Sequence, residues 1–121
     1  MSNEMWRYLI AGIIIVHGVG HGGGYWLLVK SWLSPELGDN PLRWLFVAAW
    51  LVVGIGFVVA GVGVLQQQGW WRTLAVASAV ISLLVAALFV QGPPFNAAVF
   101  DVVILAALLW AHWPSATLIG S

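Results

Sequence analysis

The chain has 121 residues, of which 62% are hydrophobic and only 7% are charged. Soluble domains carry about a quarter of their residues charged, so four acidic and four basic side chains do not cover a soluble surface of this size. The formal net charge of zero excludes the excess of Lys and Arg that nucleic-acid binding requires. The absence of cysteine excludes disulfides and thiolate sites. The composition predicts an all-α protein embedded in a lipid bilayer.

Four apolar segments follow one another along the chain. They cover residues 8–29, 42–65, 73–90 and 96–113. A hydrocarbon core needs about 20 helical residues, so the first two segments are long enough to span it and the last two are near the short limit. The breaks between them are KSWLSPELGDNP, QQQGWWR and QGPPF, which are typical of loops and turns because prolines and glycines interrupt helices. Residues 1–121 are therefore expected to form one transmembrane domain, an antiparallel bundle of four transmembrane helices.

The tryptophans favour this layout. Eight of the nine, all but Trp50, fall near predicted span ends, where indole side chains prefer the headgroup region. One membrane face is expected to carry Trp6, Trp70, Trp71, Trp110 and Trp113, and the other Trp26, Trp32 and Trp44. The basic residues are balanced between the two faces, so they do not fix the orientation. No feature argues for export of the N-terminus, and we expect both termini in the cytoplasm.

Small residues recur at four-residue spacing within the predicted spans. They are Gly18 with Gly22 and Gly20 with Gly24 in the first, Gly56 with Ala60 in the second, and Ser78, Ser82 and Ala86 in the third. Because lipid tails are as apolar as leucine, transmembrane helices associate through close backbone approach and interhelical hydrogen bonds. We interpret these residues as flat stripes that allow tight packing. A glycine-lined cavity or a broken helix at 22–24 is the alternative.

Two histidines and one aspartate are the polar residues most indicative of a site. His17 and His21, in VHGVGHGGGYW, are four residues apart and project from one helix face. Asp101 is the only acidic residue inside a predicted span, and a carboxylate in hydrocarbon usually faces a partner in the bundle interior. A rise of 1.5 Å per residue places Asp101 roughly 10 Å deep and His21 roughly 13 Å deep. We predict that Asp101 pairs with His21, with His17 nearby.

Three uses of this cluster stay open at this point. It is a structural clasp that fixes helix packing, a site where His17, His21 and Asp101 hold a hydrophobic cofactor (a quinone, haem or pigment) or a metal bound through neutral imidazole nitrogen, or a proton relay. Of these ligands a metal is disfavoured and no metal-binding residue is assigned, because a His-x-x-x-His pair supplies two ligands where zinc sites use three or four, and His112 lies near the opposite end of the fourth segment. Ser78 and Ser82 can bond to carbonyls of their own helix. No catalytic residue is predicted.

Three stretches resemble the small four-helix bacterial membrane proteins of the DoxX-like type. They are IIIVHGVGHGGGYW in the first helix, GIGFVVAGVGVL followed by QQQGWWR in the second, and FNAAVFDVVILAALL in the last. The resemblance spans nearly the whole chain and implies an antiparallel four-helix bundle in the bacterial inner membrane. Some family members are linked to quinone or thiol redox complexes, and this chain lacks the cysteines of a thiol role.

The preferred functional hypothesis is a non-catalytic subunit or scaffold of a larger membrane assembly, in contact with lipid and with other membrane subunits. The alternative hypothesis is a binding or redox protein that holds a hydrophobic ligand at His17, His21 and Asp101. The sequence names neither the ligand nor the partner.

Overall fold

The computed structural model describes residues 2–21, 41–89 and 96–120, and all regular structure in these ranges is helical. The helices are α1 (Asn3–Gly20), α2 (Leu42–Leu65), α3 (Trp71–Phe89), α4 (Asn96–Leu105) and the short α5 (Ala116–Ile119); α4 continues into a π-helical turn, Ala106–Trp110. The all-α prediction is confirmed for the described residues. The predictions for residues 22–40, which include the glycine run at 22–24 and two of the tryptophans, lie outside them.

The helix ends show how capping shifts boundaries that apolar patterns alone predict. α2 has the bounds expected for the second apolar segment. α1 begins five residues earlier than predicted, because the hydroxyl of Ser2 accepts a hydrogen bond from the backbone N–H of Met5 at 3.2 Å and caps the helix. α3 also begins early, at Trp71. The fourth helix leaves regular α geometry after Leu105, and its π-helical turn ends at Trp110, three residues before the predicted end at residue 113.

α2 is long and apolar enough to cross a membrane. It has 24 residues, and its most apolar 18-residue window has a mean hydropathy of 2.6. At 1.5 Å per residue its length is about 36 Å, against a hydrocarbon core of about 30 Å. Among the described residues it alone meets both criteria; α3 and the fourth helix with its π-helical turn contain shorter apolar stretches, Trp71–Ala87 and Asn96–Trp110.

The four long helices pack in chain order. α1 packs against α2, α2 against α3 and α3 against α4. α5, which the sequence reading did not predict, folds back onto α1, where the amide of Asn3 donates to the carbonyl of Thr117 at 3.2 Å and Ile119 is buried in the core. In the sequence, the residues that indicate the ends of α5 are the N-cap Ser115 and the C-cap Gly120, whose backbone is left-handed with φ of 80°.

The buried side chains form two apolar clusters with a polar layer between them. The larger cluster contains Ile10, Ala11, Ile14, Val53, Phe57, Ala60, Val64, Trp71, Ala75, Ala79, Ile104 and Ile119. The smaller contains Val47, Trp50, Val85, Ala86 and Ala98. The polar layer consists of His17, His21, Ser82 and Asp101. Ser82 follows Ala79 and precedes Val85 along α3, and Asp101 lies between Ala98 and Ile104 along α4, so each separates members of the two clusters.

Several tryptophans gather at one end of the bundle, as expected. Trp6, Trp71 and Trp113 line the same groove, and the rings of Trp6 and Trp113 meet edge to face at 5.8 Å. The expectation that Trp71 faces the headgroup region is wrong, because this side chain is only 1% exposed. Gly63 leaves the space for it: a Cβ at Gly63 would lie 2.9 Å from the Cβ of Trp71.

Candidate functional site

His17 and Asp101 join the first and fourth helices. Nε2 of His17 lies 3.1 Å from Oδ1 of Asp101, and Asp101 is fully buried. The prediction that Asp101 pairs with His21 is wrong, since its carboxylate contacts His17, which lies one helical turn before His21. One turn is about 5.4 Å, so an error of a few residues in either predicted span end exchanges one histidine for the other.

His21 is held by two other helices. Its Nδ1 lies 3.1 Å from the carbonyl oxygen of Trp50 on α2, and its Nε2 lies 3.4 Å from Oγ of Ser82 on α3. A carbonyl oxygen only accepts, so Nδ1 carries the proton and donates it. In the neutral ring Nε2 then accepts from the Ser82 hydroxyl. The Ser82 hydroxyl, which can also bond to a carbonyl of its own helix, faces His21.

All four long helices consequently contribute groups to the hydrogen bonds of the polar layer. The two imidazole rings come from α1 and lie edge to face, with centroids 5.0 Å apart and planes at 88°. The Trp50 carbonyl belongs to α2, Ser82 to α3 and Asp101 to α4. The sequence reading predicted the histidines and the aspartate, but it did not identify the contributions from α2 and α3.

Aromatic side chains surround the two imidazoles. Phe100 stacks on His17 with centroids 4.5 Å apart and planes at 17°, and Phe57 approaches the same ring at 4.6 Å. The indole of Trp50 lies 4.2 Å from the His21 ring. These aromatic rings pack against the imidazoles, and hydrogen bonds in an apolar, low-dielectric environment are stronger than in water.

Glycine at position 54 makes room for His21. A Cβ there would lie 2.5 Å from the Cβ of His21 and 2.8 Å from the carbonyl oxygen of Gly18, so α1 and α2 cross almost backbone to backbone. Gly56, which the sequence predicts to allow tight packing on this helix, faces Ser78 of α3. The sequence does contain a signal for the α1 side: Gly54 and Gly61 are seven residues apart, two helical turns, and both face α1.

One oxygen of the cluster has no hydrogen-bond partner among the described residues. Oδ2 of Asp101 is buried and unbonded. Together His17, His21 and Asp101 offer three potential metal-ligand atoms that all lie within 4.8 Å of one another. His112 does not join them; it is exposed beyond the π-helical turn, with a left-handed backbone at φ of 51°.

An apolar groove of about 290 Å³ lies between the first and fourth helices. It is lined by Trp6, Leu9, Ile10, Ile13, Ile14, Trp71, Phe100, Val103, Ile104, Ala107, Leu108, Trp113 and Pro114. Neither histidine of the polar layer lines it, and neither does Asp101. Phe100 connects the two features, because it lines the groove and stacks on His17.

Comparison with family models, with curated proteins and with solved structures gives no match to this chain. The function is therefore inferred from the residues of the chain itself.

Proposed function

We propose that this chain is a small polytopic membrane protein that acts as a non-catalytic subunit or scaffold of a larger membrane assembly. In this proposal its four long helices cross the bilayer, and the polar layer is a clasp that fixes their packing. The observation that carries the proposal is the clasp itself, a buried set of hydrogen bonds to which all four long helices contribute.

The outer surface of the described helices matches lipid. Large apolar side chains more than half exposed to the surroundings include Val16, Val19, Leu45, Val52, Ile55, Leu84, Val99, Val103 and Trp110. Soluble monomers rarely expose contiguous apolar patches larger than a few hundred Å². A bilayer satisfies such a surface, and helices are suited to it because they pair their own backbone groups.

The charged residues support the same arrangement. Of those in the described helices, all but Asp101 lie within the first five residues of a helix: Glu4 and Arg7 in α1, Arg43 in α2 and Arg72 in α3. Helix ends are where a spanning segment meets the headgroups and water. The single charged side chain deep in a helix is the one held by His17, as expected for an intramembrane carboxylate.

The geometry of the polar layer argues for structure rather than catalysis. Ser82 and His21 form a serine–histidine pair, but the third group is the Trp50 carbonyl instead of a carboxylate. Both side chains are essentially unexposed, so the hydroxyl has no open face for a substrate. Buried, hydrogen-bonded polar groups of this kind instead fix which helix faces meet.

The absence of cysteine permits a direct test of the four-span topology. Single cysteines at Ser2, Gln68 and Ser115 should react together with a membrane-impermeant maleimide from one side of the membrane. A cysteine at Ser34, between the first two spans, should react only from the other side. Reaction of all four positions from the same side, or recovery of the chain in the soluble fraction, would contradict the proposal.

The subunit role is tested by purification in a mild detergent through a C-terminal tag. We expect at least one other membrane protein in fixed stoichiometry with this 13.0 kDa chain. Native mass spectrometry that finds the chain alone, or in variable ratios with other proteins, would reject an accessory role while leaving the membrane topology intact.

The groove favours a second candidate function, the binding of a hydrophobic ligand. Its lining side chains are apolar, so it suits an acyl or isoprenoid chain. A haem or pigment ligated by His17 or His21 is less suited, because neither ring lines the groove. In this alternative the polar layer supports the wall of the groove through the stacking of Phe100 on His17.

Two neighbouring valines on the fourth helix separate ligand binding from general effects. Val103 lines the groove, whereas Val102 is exposed and does not. Val103→Trp should abolish a co-purifying lipid or quinone detected by native mass spectrometry, while Val102→Trp should retain it. Equal occupancy in both variants, or no bound ligand in the unmodified protein, would eliminate the alternative.

A further inference from the structure

We propose that His17, His21 and Asp101 form a binding site for a divalent first-row transition-metal ion, with two imidazole nitrogens and one carboxylate as ligands. This inference rests on the proposed clasp, since it assigns a ligand to the same cluster. The sequence reading disfavoured a metal because the histidines alone supply two ligands. The structure adds Asp101 as a third, and potential ligand atoms of all three residues lie within 4.8 Å of one another.

The separations are close to those of a coordination sphere. With metal–ligand bonds of about 2.0–2.2 Å, neighbouring ligand atoms in a tetrahedral site are roughly 3.3–3.6 Å apart. Nε2 of His17 and Oδ1 of Asp101 already lie 3.1 Å apart. The widest pair, at most 4.8 Å apart, would have to approach by up to roughly 1.2–1.5 Å.

His21 is oriented as metal-binding histidines usually are. Its Nδ1–H is fixed on the carbonyl oxygen of Trp50 at 3.1 Å, which leaves the lone pair on Nε2. Histidine ligands almost always donate their other ring N–H to a carbonyl, a carboxylate or water, because that bond fixes the tautomer and the ring direction. Within residues 2–21, 41–89 and 96–120, the hydrogen bond at Nε2 itself is the long 3.4 Å contact with Ser82, which an ion would readily replace.

The unbonded oxygen of Asp101 is an independent indication of a missing ligand. Asp101 is fully buried, and its Oδ2 has no hydrogen-bond partner in the described part of the chain. An unsatisfied buried carboxylate oxygen is costly. A cation beside the carboxylate compensates that cost and also neutralises its charge in the low-dielectric interior.

The ligand set selects the class of ion. Imidazole suits zinc, copper, iron and nickel, whereas carboxylate and carbonyl oxygens suit magnesium and calcium, and the softest ions prefer thiolates, which this chain lacks. Two histidines and one carboxylate leave at least one coordination position for water or another small ligand. One carboxylate against a divalent ion leaves one positive charge, so an anionic fourth ligand would strengthen binding.

Cobalt is a suitable probe because its visible absorption reports coordination geometry. The full chain, without a polyhistidine tag, would be reconstituted in lipid nanodiscs, treated with a chelator and titrated with Co²⁺ alone. We expect one ion per chain and displacement by Zn²⁺. His21→Gln and His17→Gln should each weaken binding by at least about 100-fold, whereas His112→Gln, which changes the exposed histidine, should leave it unchanged.

Circular dichroism of each variant shows whether it folds, and the unmodified chain provides a readout that does not depend on the variants. Stoichiometric Co²⁺ absorption by the unmodified chain, with a rise in its melting temperature, supports the site. A folded, chelator-treated chain that binds no Co²⁺ overturns the inference and leaves the clasp standing. Equal loss of binding in His112→Gln and His21→Gln also overturns it. Failure of the proposed function has a different signature, recovery of the chain outside the membrane, whatever its metal content.

Discussion

The first helix meets its two neighbours in opposite ways. It approaches α2 almost backbone to backbone, because neither Gly18 nor Gly54 places a side chain between the two helix backbones. Against the fourth helix it is separated by an apolar groove of about 290 Å³, and the main polar link between the two helices is the bond from His17 to Asp101. We refer to these contacts as the closed seam, between α1 and α2, and the open seam, between α1 and the fourth helix.

The comparison separates two ways of holding helices together. In the closed seam, dispersion contacts between close backbones stabilise the packing of α1 against α2. This packing depends on the absence of side-chain atoms at Gly18 and Gly54. In the open seam there is less packing, so one buried polar pair must fix the relative position of the helices. Substitutions in the closed seam should therefore act through volume, and substitutions in the open seam through charge and hydrogen bonding.

The largest effect is expected where the open seam loses one member of its polar pair. His17→Leu leaves Asp101 buried without its partner, and removal of one partner from a buried pair typically costs about 3–5 kcal/mol. The free energy of unfolding in nanodiscs should fall accordingly. His112→Asn, at an exposed position where asparagine tolerates the left-handed backbone, should leave it unchanged. Similar losses of unfolding free energy in the two variants would show that the pairing of His17 with Asp101 does not stabilise the fold.

A smaller effect is expected from one methyl group in the closed seam. Gly18→Ala would place a Cβ 2.6 Å from the carbonyl oxygen of Gly54, so α1 and α2 must move apart, at a cost of about 1–3 kcal/mol. Gly12→Ala provides the matched control on the same helix, because nothing lies within 4 Å of its added Cβ. Thermal unfolding of both variants measures the difference. If Gly12→Ala is as destabilising as Gly18→Ala, the close approach of the two backbones at the closed seam does not determine the result, because helix propensity alone favours alanine over glycine.

The smallest effect is expected at the edge of the polar layer. Ser82→Ala removes the long contact with Nε2 of His21, and interhelical hydrogen bonds of this kind contribute about 0.6 kcal/mol on average in membranes. Thr73→Ala, at an exposed position on the same helix, is the control. A loss at Ser82 as large as that of His17→Leu would mean that α3, and not the fourth helix, holds the first helix in place.

The sequence was sufficient to predict the features that depend on composition. The bounds of α2 follow from an uninterrupted apolar run, and the burial of Asp101 beside a histidine follows from the cost of a carboxylate in an apolar interior. The choice between His17 and His21 was not predictable, because it depends on the axial position of two helices to within one turn. Gly54 faces α1 because of the rotation of α2 about its axis, and in a helix that is apolar on all sides only the seven-residue spacing of Gly54 and Gly61 indicates that rotation.

The final turn of the chain was missed for a related reason. α5 is only four residues long, and its stability depends on packing of Ile119 against the core and on the bond from Asn3 to Thr117, which are distant in sequence. Short elements of this kind carry little periodic signal. Only the cap residues Ser115 and Gly120 indicate its bounds.

The central claim, that the pairing of His17 with Asp101 holds the open seam, is tested most directly by a double-mutant cycle. The free energy of unfolding in nanodiscs would be measured for His17→Leu, Asp101→Leu and the double variant. The account predicts that the double variant is more stable than the sum of the single losses by at least about 1 kcal/mol, because it leaves no buried polar group without its partner. Losses that add to within about 0.5 kcal/mol would contradict it.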